Sequence, residues 1–277
     1  MPTASWTGPD SGSAILKKID DYAGLSRLIA ARMKRGVCTN AFLRPEDYAR
    51  AISRGALYEA HWDGGLALFL ERTDHDRLYF WLTDPDAPIC AAPRRDTVLE
   101  IASRPRDAAL RRAGERWEAL GFLPALERVR LTHPAGPAPE ASADPASEAD
   151  FEAARTLLRA CFPPLTGCLP TDGELREALR GGSILCVREA GQLAGLLHCA
   201  ADGRSISHLA VRPEFRRSGV GRRLVEAFRA RSGGRTTVWT GSGNTAALSF
   251  YHACGYSPDG WRSAVRIWKQ QGGNEDA

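Results

Sequence analysis

Residues 211–224 read VRPEFRRSGVGRRL, with five arginines and two glycines between an apolar run and an amphipathic segment. The run Ser205–Val211 is typical of a strand, and Val220 and Leu224 share one face of a helix that begins at the glycines. Glycines at a helix start allow free backbone N–H groups to converge at the positive end of the helix dipole. The stretch therefore predicts a phosphate or pyrophosphate site at the end of this strand.

The arginines of this stretch raise the local positive potential and suit ion pairs with ligand phosphates. They include Arg216, Arg217, Arg222 and Arg223. The pattern differs from the phosphate loop of nucleotide triphosphatases, which ends in Gly-Lys-Ser/Thr, and from the dinucleotide fingerprint, which has a longer glycine spacing. Arginine runs also occur on solvated surfaces, so the turn alone does not identify a function.

The second half of the sequence predicts the element order ααβββαβαβ. Apolar spacing over Asp150–Cys161 predicts a first helix, and a second follows the Thr171 cap and ends at Gly181. Three β-like runs then predict an antiparallel meander, and Asn244 caps a last helix that Gly255 closes. The predicted strands are 183–188, 191–200, 205–211, 236–240 and 264–268.

The segment His133–Asp150 is rich in Pro, Ala and Ser, which predicts an interdomain linker over 135–147. It separates a domain over 14–134 from a domain over 148–270. The first half repeats the second in weakened form, because WEALGF at 117–122 has the aromatic and glycine spacing of YHACGY at 251–256. Three prolines between Leu82 and Val98 stand where the second half has its glycine turn and helix. We predict two related α/β (α+β) domains, each a mixed, mostly antiparallel sheet flanked by helices.

Composition excludes several classes of function. The 277 residues carry a formal net charge of +4, well below that of a dedicated nucleic-acid binder. Seven cysteines without a Cys-x-x-Cys pair indicate neither a disulfide framework nor a zinc site, and fit a reducing cytoplasm. Residues 1–14 lack the basic start and apolar run of a secretion signal, and no apolar run approaches the length of a membrane span. We therefore expect a cytoplasmic protein with no metal, membrane or nucleic-acid partner.

The second half resembles the GNAT acyltransferase family, which binds acetyl-CoA or a related acyl-CoA. The family's pyrophosphate motif, Gln/Arg-x-x-Gly-x-Gly/Ala, is matched by Arg216 to Gly221. Its second motif, Asn-x-x-Ala-x-x-x-Tyr-x-x-x-Gly-Phe, is matched from Asn244 to Gly255, with Tyr256 in place of Phe. The likeness covers residues 148–270, and the first half is a degenerate echo that lacks the pyrophosphate turn.

This resemblance implies direct acyl transfer from a CoA thioester to an amine, with the glycine turn on the pyrophosphate and the preceding strand on the pantetheine arm. The implied donor-binding residues are Leu209, Ala210, Val211, Arg216, Arg217, Ser218, Gly219, Val220, Gly221, Arg222, Asn244, Ala247 and Tyr251.

Tyr251 matches the family's general acid for the departing thiolate, although an aromatic residue at this spacing also suits a helical core position. The corresponding Trp117 has no hydroxyl, so the first half is not expected to catalyse this reaction. No general base is evident. His208 is the leading candidate, but it is predicted to point away from Leu209 and Val211, and a packed position is the commoner role for a strand histidine. A chain of water molecules without a dedicated base is the alternative.

The acceptor is expected to be a small-molecule or peptide amine that meets the prolyl loop 162–170. Two alternatives stay open. The donor in the first is an acyl carrier protein or an aminoacyl-tRNA, whose phosphates would meet the arginines. In the second, the protein is a non-catalytic CoA-binding sensor.

Overall fold

The computed structural model describes residues 15–34, 37–137 and 142–270. Backbone contacts divide the chain into two compact units. Unit 1 comprises Met1–Leu126 and Arg262–Ala277, and unit 2 comprises Glu127–Trp261. Each has a mixed, mostly antiparallel sheet with helices, so the predicted fold class is confirmed.

Unit 1 begins with two helices that the sequence patterns did not predict. The Asp21 carboxylate accepts hydrogen bonds from the N–H groups of Ala23 and Gly24 (2.9 and 2.8 Å) and so caps the first helix. The elements are β1 (Lys17–Lys18), α1 (Tyr22–Met33), β2 (Cys38–Thr39), α2 (Pro45–Ser53), β3 (Leu57–Trp62), β4 (Gly65–Glu71), β5 (Asp76–Leu82), β6 (Thr97–Ser103), α3 (Ala108–Ala119) and β7 (Leu123–His133), which continues into unit 2. Strands β3, β4 and β5 form an antiparallel meander, and β6 is parallel to β5.

Unit 2 follows the predicted order closely. Its elements are β8 (Asp144–Pro145), α4 (Phe151–Cys161), α5 (Asp172–Arg180), β9 (Ile184–Glu189), β10 (Gln192–Cys199), β11 (Ser205–Val211), α6 (Val220–Ser232), β12 (Thr236–Gly241), α7 (Thr245–Ala253) and β13 (Ser257–Trp268), whose residues from Arg262 on belong to unit 1. The predicted caps are confirmed, because the Thr171 hydroxyl accepts from the Glu174 N–H (3.3 Å) and the Asn244 side-chain Oδ1 accepts from the Ala247 N–H (3.0 Å). Strands β9, β10 and β11 form the predicted antiparallel meander.

The sheet of each unit is completed by a strand from the other half of the sequence. Residues 262–268 of β13 pair with β6 in unit 1, and residues 128–133 of β7 pair with β12 in unit 2. The predicted last strand of the second half, 264–268, is therefore a strand of unit 1 instead. Periodicity identifies strand residues but does not specify their partner, so the predicted domain ranges 14–134 and 148–270 differ from the compact units.

Part of the predicted linker 135–147 is an edge strand of unit 2. Residues 138–141 of this segment lie outside the described residues. Asp144 pairs with Cys186, and the Ala146 N–H donates to the Ile184 carbonyl at 2.8 Å. Pro145 is tolerated there because an edge strand leaves one side without ladder hydrogen bonds.

Two apolar layers cover the faces of the unit 2 sheet. Leu196 and Ala210 pack with α4 and α5 on one face, which we call the front face. Leu197 and Ile206 pack with α6 and α7 on the other face. Neighbouring strand residues thus alternate between the layers, as β geometry requires.

In unit 1 the chain crosses directly from β5 to β6 over residues 83–96, without the helix that unit 2 has in the corresponding place, as predicted. The fully buried Asp76 fixes the end of this connection to β5. Its carboxylate accepts from Arg94 Nε (3.0 Å) and Arg95 Nε (2.8 Å). A buried carboxylate needs such partners because desolvation of an unpaired charge is costly.

Candidate functional site

The parallel strands β11 and β12 separate after two residue pairs. Ser205 pairs with Thr237 and Ile206 with Val238, and among the described residues no strand pairs with 207–211 on that side of β11. Strand β12 stays paired with β7 over its whole length. The result is a fork in the sheet, open beyond Ile206.

A β-bulge lies where the fork opens. His198 pairs with His208 and Cys199 with Ile206, so Ser207 is the extra residue, and its side chain is exposed. A bulge bends its strand and increases the local twist, which moves the end of β11 away from β12.

The backbone of β11 beyond the bulge presents hydrogen-bonding groups to the fork. The Arg212 N–H donates to the Ala194 carbonyl on β10 at 2.9 Å. Backbone groups alternate in direction along a strand, so Ala210 also faces β10 while Leu209 and Val211 direct their N–H and C=O groups into the fork. The two predicted pantetheine residues therefore have suitable backbone orientation.

The glycine turn beyond β11 presents a run of backbone N–H groups that have no acceptor among the described residues. Within the described residues, no acceptor is found for the N–H groups of residues 217–222, whereas the Arg223 N–H donates to the Gly219 carbonyl (3.0 Å) as the first regular bond of α6. Arg217 and Gly219 both have left-handed φ values, 65° and 91°. These conformations turn successive N–H groups toward one region, which is the geometry of an anion-binding nest.

Both predicted glycines have a local reason to be glycine. Gly219 caps α6 in the left-handed region, where a Cβ is strained. At Gly221 a Cβ would lie 3.3 Å from the Phe250 ring, closer than ordinary van der Waals contact. The start of α6 therefore packs tightly against α7.

The arginines leave less unpaired positive charge at the turn than their number indicates. Arg222 and Arg223 form exposed ion pairs with Glu226 (3.0 Å) and Glu189 (2.6 Å). Arg216 Nε donates to the Val211 carbonyl at 3.3 Å, while Arg217 has no ion pair with a described residue. Exposed pairs are weak, so they compete little with a ligand phosphate.

Tyr251 lies on α7, directly after Phe250, whose ring faces Gly221. It is 5% exposed, and its ring meets Phe250 and Tyr256 edge to face at centroid distances of 5.1 and 5.6 Å. Burial raises the pKa of its phenol above the usual range, so the hydroxyl carries its proton at neutral pH. No described residue hydrogen-bonds to this hydroxyl, in contrast to Tyr256, whose hydroxyl lies 2.8 Å from Thr236 Oγ1.

His208 points to the front face of the sheet, away from Leu209 and Val211, as predicted. Its side chain is buried at 4% exposure, with Nε2 at 2.9 Å from the Gly167 carbonyl and Nδ1 at 3.3 Å from His198 Nδ1. Desolvation lowers the pKa of His208 and lowers that of His198 to about 4. Both imidazoles are therefore neutral at pH 7.

The place in unit 1 that corresponds to the fork is closed by the chain itself. Strand β6 leaves β5 after Leu78, and β2 then pairs with the edge of β5 that β6 has left. The Phe80 N–H donates to Asn40 Oδ1 (2.8 Å), and the Phe80 carbonyl accepts from the Thr39 hydroxyl (2.6 Å). Asn40 Nδ2 also donates to Leu78 and Glu100, so this side chain bridges both strands.

Sequence reasoning missed the contribution of β7 to unit 2. Arg128 donates to the Thr166 carbonyl and lies 3.9 Å from Cys168 Sγ. Its position in the first half of the sequence gave no signal, because only the strand exchange brings β7 beside β12.

Residues 180–258 match the family model described as an acetyltransferase (GNAT) domain. The matched range lies within unit 2 and includes the fork, the glycine turn and α7. No curated protein matches the sequence.

Solved structures extend the GNAT likeness in fold to most of the chain. A GCN5-related N-acetyltransferase from Sphaerobacter thermophilus is 17% identical, with a TM-score of 0.58 over 97% of this chain and 98% of that one. A GNAT-family acetyltransferase from Colwellia psychrerythraea is 12% identical, with a TM-score of 0.53 over 92% and 100%. A GCN5-related N-acetyltransferase from Kribbella flavida is 16% identical, with a TM-score of 0.51 over 81% and 93%.

The described ranges contain no group of three or more His, Cys, Asp or Glu side chains arranged to hold a metal ion. None of the helices described is long and apolar enough to cross a bilayer.

Proposed function

We propose that unit 2 transfers an acyl group from acyl-CoA, with acetyl-CoA as the simplest donor, to a primary amine. The observation that carries this proposal is the continuity of two features: the open edge of β11 leads directly into the unpaired N–H groups of residues 217–222. A ligand with an extended, amide-containing arm and a pyrophosphate at its end would pair its arm with the open strand edge and its pyrophosphate with these N–H groups.

The donor-binding residues divide by the part of CoA they would hold. The N–H groups of residues 217–222 would hold the pyrophosphate, and Arg217 would add a charge that no described acid neutralises. Leu209 and Val211 would pair with the pantetheine arm through their backbones. Asn244 and Ala247 support the site indirectly, because their hydrogen bond fixes the start of the helix that carries Tyr251.

Tyr251 is the proposed proton donor to sulfur. Bound acyl-CoA supplies the thioester, and the acceptor nitrogen attacks its carbonyl carbon as the carbon–sulfur bond breaks. The raised pKa of Tyr251 keeps the phenol protonated until thiolate character develops, and the hydroxyl then transfers its proton to sulfur. An alkyl ammonium acceptor has a pKa of about 10.4, so its extra proton leaves to water before attack. The second proton, which the nitrogen loses as the amide forms, returns through water to the Tyr251 phenolate and restores the phenol.

Unit 1 has a structural or acceptor-binding role in this proposal. Residues 38–40 occupy the edge of β5 that corresponds to the open edge of β11, and residues 83–96 provide no helix start for a pyrophosphate. Trp117 stands in place of the tyrosine, fully buried against Phe80 at a ring distance of 5.9 Å.

The first experiment measures donor binding and transfer separately. Acetyl-CoA at about 100 times its dissociation constant should stabilise the protein by about 2.7 kcal/mol, read as a rise in Tm. Release of free thiol is then followed with ethanolamine, benzylamine and a lysine-containing peptide as acceptors, with longer acyl-CoAs in parallel.

The outcomes separate the open alternatives. Protection by an acylated carrier protein or by aminoacyl-tRNA, but not by acetyl-CoA, would replace the proposed donor. Protection by acetyl-CoA without thiol release from any donor or acceptor would favour a CoA-binding sensor.

A further inference from the structure

The hydrogen-bond geometry around His208 specifies its tautomer. The Gly167 carbonyl can only accept, so the proton of neutral His208 lies on Nε2 and is donated over 2.9 Å. His208 Nδ1 then has a lone pair, and His198 Nδ1 must carry the proton between them. The two rings are nearly coplanar at 9°, and their nitrogens are much closer (3.3 Å) than their centroids (5.6 Å), so they meet edge to edge.

Both ring nitrogens of His208 are therefore engaged in the neutral state. Burial lowers the pKa of His208, the nearby Arg128 guanidinium lowers it further, and the Gly167 hydrogen bond opposes them. His198 shares this buried environment, with Glu174 the acidic group that acts on it. A proton from an acceptor amine has no free nitrogen of His208 to reach.

The contacts of His208 instead fix the loop between α4 and α5. Phe162 packs edge to face on the imidazole at 4.9 Å, and the Gly167 N–H donates back to the Pro163 carbonyl at 2.7 Å. A turn closed in this way moves as a body, so the bond from His208 to Gly167 holds the whole segment against β11.

A second anchor holds the same loop from the opposite side of the fork. Arg128 donates to the Thr166 carbonyl, and its own backbone pairs with Gly241 at the far end of β12. Thr166 is thus bound to Arg128 of β7, the strand that pairs with β12. Gly167 is bound to His208 of β11. The two bonds connect the loop to both of the strands that diverge at the fork. The loop spans the front of the fork at its open end.

We propose that His208 and Arg128 are positioning residues that fix residues 166–168 as the acceptor-side wall of the fork, and that His208 does not take the acceptor's proton. This inference rests on the proposed acyl transfer. An acceptor that approaches the thioester from the front face must pass this wall, so the two anchors control acceptor affinity rather than the chemical step.

Two substitutions of His208 separate a positioning role from a base. His208→Phe keeps a ring against Phe162 but removes the donor to Gly167. His208→Gln keeps a donor near the place of Nε2 but cannot act as a base. Kinetics are measured with acetyl-CoA and the most active amine among ethanolamine, benzylamine and the lysine peptide.

For His208→Phe we expect the KM for the amine to rise about tenfold, with kcat and the KM for acetyl-CoA within about threefold of wild type. His208→Gln should restore the KM for the amine, and Arg128→Met should raise it like His208→Phe. If both His208 variants lower kcat about a hundredfold with unchanged KM, His208 is the base and the inference is wrong. Unchanged kinetics in all three variants would also overturn it.

A measurement that does not depend on activity keeps this inference separate from the proposed function. Cys168 is exposed in the anchored loop with a left-handed φ of 53°, so its alkylation rate, followed by peptide mass spectrometry, reports the loop's freedom. The rate should increase in His208→Phe and stay near wild type in His208→Gln. An unchanged rate in His208→Phe refutes the anchor, whereas failure of acetyl-CoA to bind wild type refutes the proposed function and leaves the anchor to be judged by alkylation.

Discussion

Phe80 in β5 and Leu209 in β11 are the fifth residues of two seven-residue strands, and each faces a place where a parallel neighbour has left the sheet. In unit 1 the side chains of Thr39 and Asn40 satisfy the N–H and C=O of Phe80. No described residue does so for Leu209. Backbone polar groups in a sheet need partners, so unit 1 supplies them internally whereas unit 2 leaves them for water or a ligand.

This difference shows that the fork itself is a feature of the fold rather than the mark of a binding site. Both units have it, with similar strand order. What separates them is the segment that closes one fork and the turn of free N–H groups that extends the other. The four changes below test whether these two features account for the difference.

The largest effect is expected for Gly219→Val. A β-branched residue is strained at φ 91°, so the turn must rearrange and the N–H groups of residues 217–222 diverge. We expect acetyl-CoA affinity to fall by about a hundredfold or more, measured by calorimetry, since each lost charge-assisted hydrogen bond contributes about 1.5–3 kcal/mol.

Gly233→Val is the matched control. Gly233 ends the same helix with φ 61° and has open space around it, so the strain is similar but the donor site is untouched. Equal losses of affinity in both variants would mean that strain in α6, not the turn, explains the result.

Tyr251→Phe should lower kcat by about 10²-fold while the affinity for acetyl-CoA changes little, because only the proton donor is removed. Tyr256→Phe is the control, since it removes the hydroxyl that bonds to Thr236 and should reduce stability with little change in rate. Normal transfer by Tyr251→Phe would reduce this residue to a core aromatic like Trp117.

Asn40→Ala tests the closed fork of unit 1. Asn40 is 3% exposed and makes three hydrogen bonds, two of them buried and one partly buried, so its loss should lower the free energy of unfolding by about 2–4 kcal/mol in chemical denaturation. For Ser207→Ala, at the exposed bulge of unit 2, the free energy of unfolding should stay within about 0.5 kcal/mol of wild type.

The closed fork also predicts the stoichiometry of donor binding. Calorimetry should give one acetyl-CoA per chain for wild type, and a second binding site would contradict the closed fork.

The smallest effect is expected for the arginines. Arg217→Ala should weaken acetyl-CoA binding by about three- to tenfold, and Arg222→Ala, whose guanidinium already pairs with Glu226, by less than about threefold. Raising the salt concentration should reduce the difference between the two variants, because exposed charges are screened. If either arginine substitution lowered the affinity for acetyl-CoA more than Gly219→Val does, the backbone N–H groups would not be the main contributors to donor binding.

Much of unit 2 could be predicted because its signals are local. The caps at Thr171 and Asn244, the turn at Gly219 and the alternation of Ser205–Val211 each depend on residues within one element. The first two helices of unit 1 were missed. In α1 only Leu25 is buried, so its apolar pattern is weak. The role of residues 38–40 was missed because its partners are about 40 and 60 residues away in sequence.

The sequence by itself determined the glycine turn, the helix that follows it and the tyrosine on α7, because backbone conformation and periodicity are encoded in neighbouring residues. Tertiary structure alone decided that β7 joins the sheet of unit 2 and that β13 joins the sheet of unit 1. It also decided that Arg128 faces loop 162–170 and that both ring nitrogens of His208 are engaged. These features depend on which strands pair, and pairing is a choice among distant partners that no local pattern records.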